Sequence, residues 1–164
     1  MMEHPIVEQA VKGNADALEF LRAIAKVLHL WDDLVDRDKA IADATIHEAF
    51  GLALIDLPRN AFYRRHFEVL NAVLLNAIVN WRIATTMERN DAPDRRPYDF
   101  ATAFILRSSY VDLLTMSATL IGGVEWGAAM GPEIHRWAHQ EGMATYLYNL
   151  AAETAARKEN DHVL

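Results

Sequence analysis

The stretch ADALEFLRAIAKVLHLWDDLVD, residues 15–36, decides the fold class. At about 100° per residue, Phe20, Leu21, Ile24, Val27, Leu28, Trp31, Leu34 and Val35 gather on one broad face. Glu19, Arg22, Lys26, His29, Asp33 and Asp36 gather on the other, with Asp32 at the boundary. This is the pattern of an amphipathic helix packed on one side and wet on the other. Gly13-Asn14 just before it supplies a break and an N-cap, and Asp16 suits the positive end of the helix dipole.

The rest of the chain is punctuated in the same way. Thr45-Ile46-His47-Glu48 has the spacing of a capping box and predicts a shorter helix that stops before Pro58. Pro58 or Asn60 then starts a long helix reaching Glu88. Residues 90–97, with Pro93 and Pro97, read as a polar loop. Pro97 suits the first turn of a further helix, which ends at Gly122-Gly123. A short turn spans Val124 to Met130, and Gly131-Pro132 opens a last helix to about Arg157. Nothing alternates with period two, so no sheet is expected. The expectation is an all-α, single-domain helical bundle of about five main helices over residues 1–164.

Composition narrows the function classes. An apolar fraction of 52% and a charged fraction of 24% describe a globular chain, long enough at 164 residues to bury a core without staples. There are no cysteines, which removes disulfides and thiolate metal sites and fits a reducing, cytoplasmic setting. A net charge of −7 without a basic run argues against nucleic acid as a partner. Met1-Met2-Glu3-His4-Pro5 does not read as a secretory leader. The apolar stretch from Phe100 to Gly123 is interrupted by Arg107 and Asp112, so a buried helix is expected there and no membrane span.

Several polar residues fall where a bundle interior should be apolar. Asn76 and Asn80 lie opposite the stripe of Glu68, Asn71, Arg82, Thr86 and Arg89, which predicts two buried amides in need of partners. Ser108, Asp112, Thr115 and Thr119 form a narrow polar line on an otherwise apolar helix. A carboxylate there needs a cavity, a cation or a proton, so Asp112 is expected to be a buried network residue. Arg107 is the nearest cation but points away from Asp112 by helical phase. His135 and His139, four apart on one face, have a spacing that can share a metal. They lack the Glu that a zincin helix places after its first His.

Asp32-Asp33-Leu34-Val35-Asp36, preceded by Leu28-His29-Leu30-Trp31 and followed by Arg37-Asp38, resembles the aspartate-rich motif of class I isoprenoid synthases, in its phytoene and squalene synthase form. The resemblance implies that Asp32 and Asp36 hold Mg²⁺, which in turn binds a substrate diphosphate. Terpene cyclases of that family carry a second element, and Asn80, Ala84 and Glu88 have its spacing. These three run along one helical stripe for roughly 12 Å. Ala84 stands where the family has a hydroxyl ligand, and the chain is about half the family's length.

Two functional expectations follow. The first is a non-enzymatic interaction or assembly protein, a homo-oligomer whose aromatic surface includes Trp31, Trp81, Trp126 and Trp137. The alternative is a Mg²⁺-dependent protein or enzyme that binds a small phosphorylated ligand. It would use Asp32 and Asp36 opposite Asn80 and Glu88, with Arg107 and Asp112 in secondary roles.

Overall fold

The computed structural model describes residues 4–37, 39–89, 98–140 and 142–161, those from 156 onward by backbone alone. Every regular element among the described residues is helical. In chain order they are α1 (Pro5–Ala10), α2 (Ala15–Asp36), α3 (Asp43–Gly51), a π-helical turn (Leu52–Asp56), α4 (Leu57–Arg59) and α5 (Ala61–Arg65). The second half holds α6 (Phe67–Arg89), α7 (Asp99–Leu106), α8 (Ser109–Gly122), α9 (Val124–Ala138) and α10 (Met143–Asp161).

Asn14 caps α2 as expected, its side chain accepting from the Ala17 N–H at 3.0 Å. The next start differs. Helix α3 begins at Asp43 after an Ala42 N-cap with no side-chain bond, so Thr45-x-x-Glu48 lies inside the helix. Asn60 caps α5 through the Tyr63 N–H at 2.9 Å, and its amide nitrogen donates to the Asp16 carbonyl of α2 at 2.9 Å. A break at His66 then separates α5 from α6, where one continuous helix is expected from the sequence. The expected helix up to Gly122 is also in two pieces, α7 and α8, bent by 47° at Arg107-Ser108. Pro132 does not open a helix; it sits within α9, on an exposed side where solvent can hydrate the carbonyl it leaves free. The expected 90–97 loop lies outside the described residues.

The core gathers around α2 and α8. Phe20, Leu21 and Ile24 of α2 meet Phe62 and Tyr63 of α5, Leu70 of α6, Val111, Leu113 and Leu114 of α8, and Ile134 of α9. Phe20 stacks on Tyr63 with ring centroids 5.5 Å apart. Helix α1 is pinned to α9 by the Trp126 indole, which donates to the Ala10 carbonyl at 2.8 Å. Helices α8 and α9 approach closely at Gly127, where an added Cβ would lie 2.0 Å from the Thr119 hydroxyl oxygen.

Several elements leave large apolar side chains exposed, among them Phe50 and Leu54 near α3 and Val124 of α9, and helix α6 carries a run of them. Its inner face buries Leu70, Ala77, Trp81, Ala84 and Glu88. Its outer face leaves Leu75 62%, Val79 47%, Ile78 45% and Ile83 44% exposed. By length and composition alone α6 is apolar enough to cross a membrane, the one single helix among the described residues that is.

Candidate functional site

Arg107 sits at the bend between α7 and α8, which swings its side chain over the C-terminal end of α2. There the guanidinium gathers three carboxylates from two helices. Its Nε donates to both Glu88 oxygens, at 2.7 and 3.0 Å, and its Nη2 to Glu88 Oε2 at 2.5 Å. Its Nη1 reaches Asp32 Oδ1 at 2.9 Å and its Nη2 reaches Asp36 Oδ1 at 3.3 Å. Trp81 lies under the guanidinium, 5.0 Å from it, and stacks on Trp31 at 4.7 Å. The Trp81 indole donates to the Arg107 carbonyl at 3.1 Å. Tyr146 of α10 donates its hydroxyl to Glu88. Arg89 adds a second cation 3.7 Å from Asp36 and donates to the Val35 carbonyl at 2.7 Å.

Charge explains why these groups converge. Three aspartates at the C-terminal end of α2 oppose its dipole, and its last turn holds no basic residue. Arg107 and Arg89 arrive from other elements, and Lys39 pairs with Asp33 at 2.7 Å. Burial works against the guanidinium charge, but hydrogen bonding and attraction to Glu88, with Asp36 and Asp32, outweigh it and raise its pKa. Asp32 is pushed up to about 7, by burial first and the neighbouring Asp36 second, while Arg107 pulls it down. Burial and then the Glu88 contact push the Tyr146 hydroxyl upward.

Of the four expected metal ligands, the structure brings Asp32, Asp36 and Glu88 together, and Arg107 is what they share. Asn80 is half-buried and contributes none of the contacts described for this network. No group of three or more His, Cys, Asp or Glu among the described residues is placed to hold a metal ion. Asp36, expected on the wet face of α2, is buried instead. Helical phase misplaces it because Arg107 and Arg89 cover the end of a face that is wet further up the helix.

Two expected buried polar residues are corrected. Asn76 and Asp112 are both exposed. They line an open groove of about 760 Å³ between α6, α8 and α9, with Glu68, Thr115, Thr119 and His135. Asp112 is raised by partial burial, and His135 pulls it down. Phase points the Asn76 amide and the Asp112 carboxylate between α6 and α8, but the space there is the open groove and not packed core.

The histidine pair is built differently from a shared-metal site. The rings of His135 and His139 stack at 5.5 Å. His139 Nδ1 lies 2.9 Å from the His135 carbonyl, and its Nε2 lies 2.7 Å from the Ser108 hydroxyl. Ser108 is missed from sequence because the contact spans 31 positions; the only signal is its place in the polar line with Asp112.

The outer face of α6 is the other feature missed. Glu68, Ala72, Leu75, Val79, Arg82 and Thr86 follow a 4-3-4-3-4 spacing, that of a coiled-coil seam, and all six are exposed. The polar members of this face are legible in the sequence, but the aliphatic residues between them look like core until the helix is seen to pack by its other side.

Searches of family models, of curated proteins and of solved structures find no match for this chain. The resemblance at 32–36 therefore rests on its own residues.

Proposed function

We propose that this protein is a helical assembly unit that works as a homodimer, two copies pairing antiparallel through the outer face of α6. One observation carries the reading: a long helix presents Ala72, Leu75 and Val79 to solvent at coiled-coil spacing, flanked by Ile78 and Ile83, on the side opposite its own core.

Area and charge both favour a second copy as the occupant. The exposed parts of Leu75, Ile78, Val79 and Ile83 amount to roughly 330 Å² of apolar surface, before Ala72 and the Arg82 stem are counted. A standard interface buries about 800 Å² per partner, a little over half of it apolar. A register that sets Leu75 opposite the partner's Val79 places Arg82 beside the partner's Ala72. Arg82 then lies within one turn of the partner's Glu68, and two-fold symmetry makes this contact twice. The small Ala72 leaves room for the Arg82 stem, whose methylenes cover apolar surface.

The cysteine-free chain allows a direct test. The double variant Leu75→Cys/Val79→Cys should oxidise to a disulfide-linked dimer, seen on a non-reducing gel, because the two positions face each other across the pair. A Phe50→Cys control, exposed on α3, should remain a monomer on the same gel. Failure of the double variant to cross-link, or equal cross-linking by the control, overturns the proposed pairing.

A further inference from the structure

Ser108 and His139 form a hydrogen-bonded pair that the assembly reading does not use. A carbonyl oxygen only accepts, so the contact between His139 Nδ1 and the His135 carbonyl at 2.9 Å places the ring proton on Nδ1. The neutral ring then has Nε2 free to accept, and the Ser108 hydroxyl lies 2.7 Å from it. That hydroxyl also lies 3.2 Å from the Phe104 carbonyl, the longer of the two contacts. A serine hydroxyl within hydrogen-bond reach of a histidine whose other nitrogen is oriented by an acceptor is the arrangement of an activated nucleophile and its base.

The surroundings suit that chemistry. His139 is the C-cap of α9, so the imidazolium formed on taking a proton sits at the negative end of a helix dipole. Ser108 is the N-cap of α8, a helix of 14 residues; the Val111 N–H donates to the Ser108 carbonyl at 2.9 Å, which leaves the N–H groups of Ser109 and Tyr110 as the ones facing out of the helix start. Those groups can receive a developing oxyanion. Ser108 also lines a cavity of about 300 Å³, with Trp81, Trp137, Leu28 and Val111 as its apolar part and Asp32, Arg107 and His29 as its polar part. Ser109 lines the same cavity, fully buried, with a hydroxyl that meets no partner. An unpaired hydroxyl there is costly unless a ligand completes it.

We propose that Ser108 is a nucleophile and His139 its general base, in a site that cleaves small carboxylic esters whose acyl group enters the cavity between Trp81 and Trp137. The Ser108 oxygen bonds to the acyl carbon as its proton passes to His139 Nε2. The bond to the leaving alcohol breaks, and the alcohol departs with that proton. Water then adds to the acyl-serine, giving its proton to Nε2. Collapse returns the proton to Ser108 and releases the carboxylic acid. Nothing in this step depends on the dimer.

The test is covalent trapping on the full chain. A fluorophosphonate probe, followed by digestion and mass spectrometry, should place one phosphonyl group on Ser108. Ser108→Ala should abolish the adduct, and His139→Ala should slow its formation by about 100-fold or more, the usual worth of a positioned base. Circular dichroism monitors the fold, and His139→Gln replaces His139→Ala should that variant lose helicity. An adduct elsewhere, no adduct, or labelling at the wild-type rate without His139 overturns the proposal.

Discussion

Replacing Arg107 with methionine removes the cation that Glu88 and Asp36 share while keeping most of its apolar stem. The Glu88 side chain is only 1% exposed and that of Asp36 11%, so neither carboxylate can turn to water without moving the helices that hold it. Breaking a buried pair by deleting one partner costs about 3–5 kcal/mol. The lower end is expected here, because Tyr146 still donates to Glu88 and Arg89 still faces Asp36. A loss of about 3 kcal/mol corresponds to roughly 6–12 °C in Tm for a chain of this size. Urea unfolding followed by circular dichroism, at one fixed protein concentration, measures it. Adding Glu88→Gln to the Arg107→Met background should return about 1–2 kcal/mol, since the amide needs no counter-charge. A loss below 1 kcal/mol, or a double variant less stable than Arg107→Met alone, would refute the view that the buried charges depend on this guanidinium.

Two further outcomes follow from the same packing. The folded state raises Asp32 to about 7 from an ordinary 3.8, so it holds that proton more tightly than the unfolded chain. Stability should therefore fall as pH rises from about 4 to about 7, by about 1–2 kcal/mol after screening of a side chain that is 44% exposed, and Asp32→Asn should flatten the slope. Urea midpoints across that range check it; a slope unchanged in the variant assigns it to other groups. Gly127→Ala would drive a methyl against the Thr119 hydroxyl and should cost about 1–3 kcal/mol, with Thr119→Ala restoring part of it because its Cβ still lies 3.1 Å away, as thermal melts would show.

The sequence made the helices legible and left their mutual placement hidden. Asn14 and the face of Phe20, Leu21 and Ile24 can be read directly, because capping and periodicity are local. The bend at Arg107-Ser108 cannot, since neither proline nor glycine marks it. That bend decides the site: it takes Arg107 across to Asp32, Asp36 and Glu88 and turns Ser108 toward His139. Asp32, Asp36 and Glu88 come together around a cation that no local spacing encodes, because Arg107 lies 71 positions from Asp36. Asn76 and Asp112 were expected inside because helical phase says which way a residue points and not whether a neighbour stands there. The α6 face failed in the opposite sense: Leu75, Val79 and Ile83 look like core, and only the packing shows that they stay exposed.

Sedimentation equilibrium at micromolar concentration reads the assembly state itself. The expected result is a species of twice the 18.5 kDa chain mass. A Leu75→Glu/Val79→Glu variant, which puts four like charges at the centre of the pair, should sediment at the single-chain mass with its helical circular dichroism intact. A wild-type protein at 18.5 kDa, or a variant that still sediments as a dimer, would contradict assembly through α6.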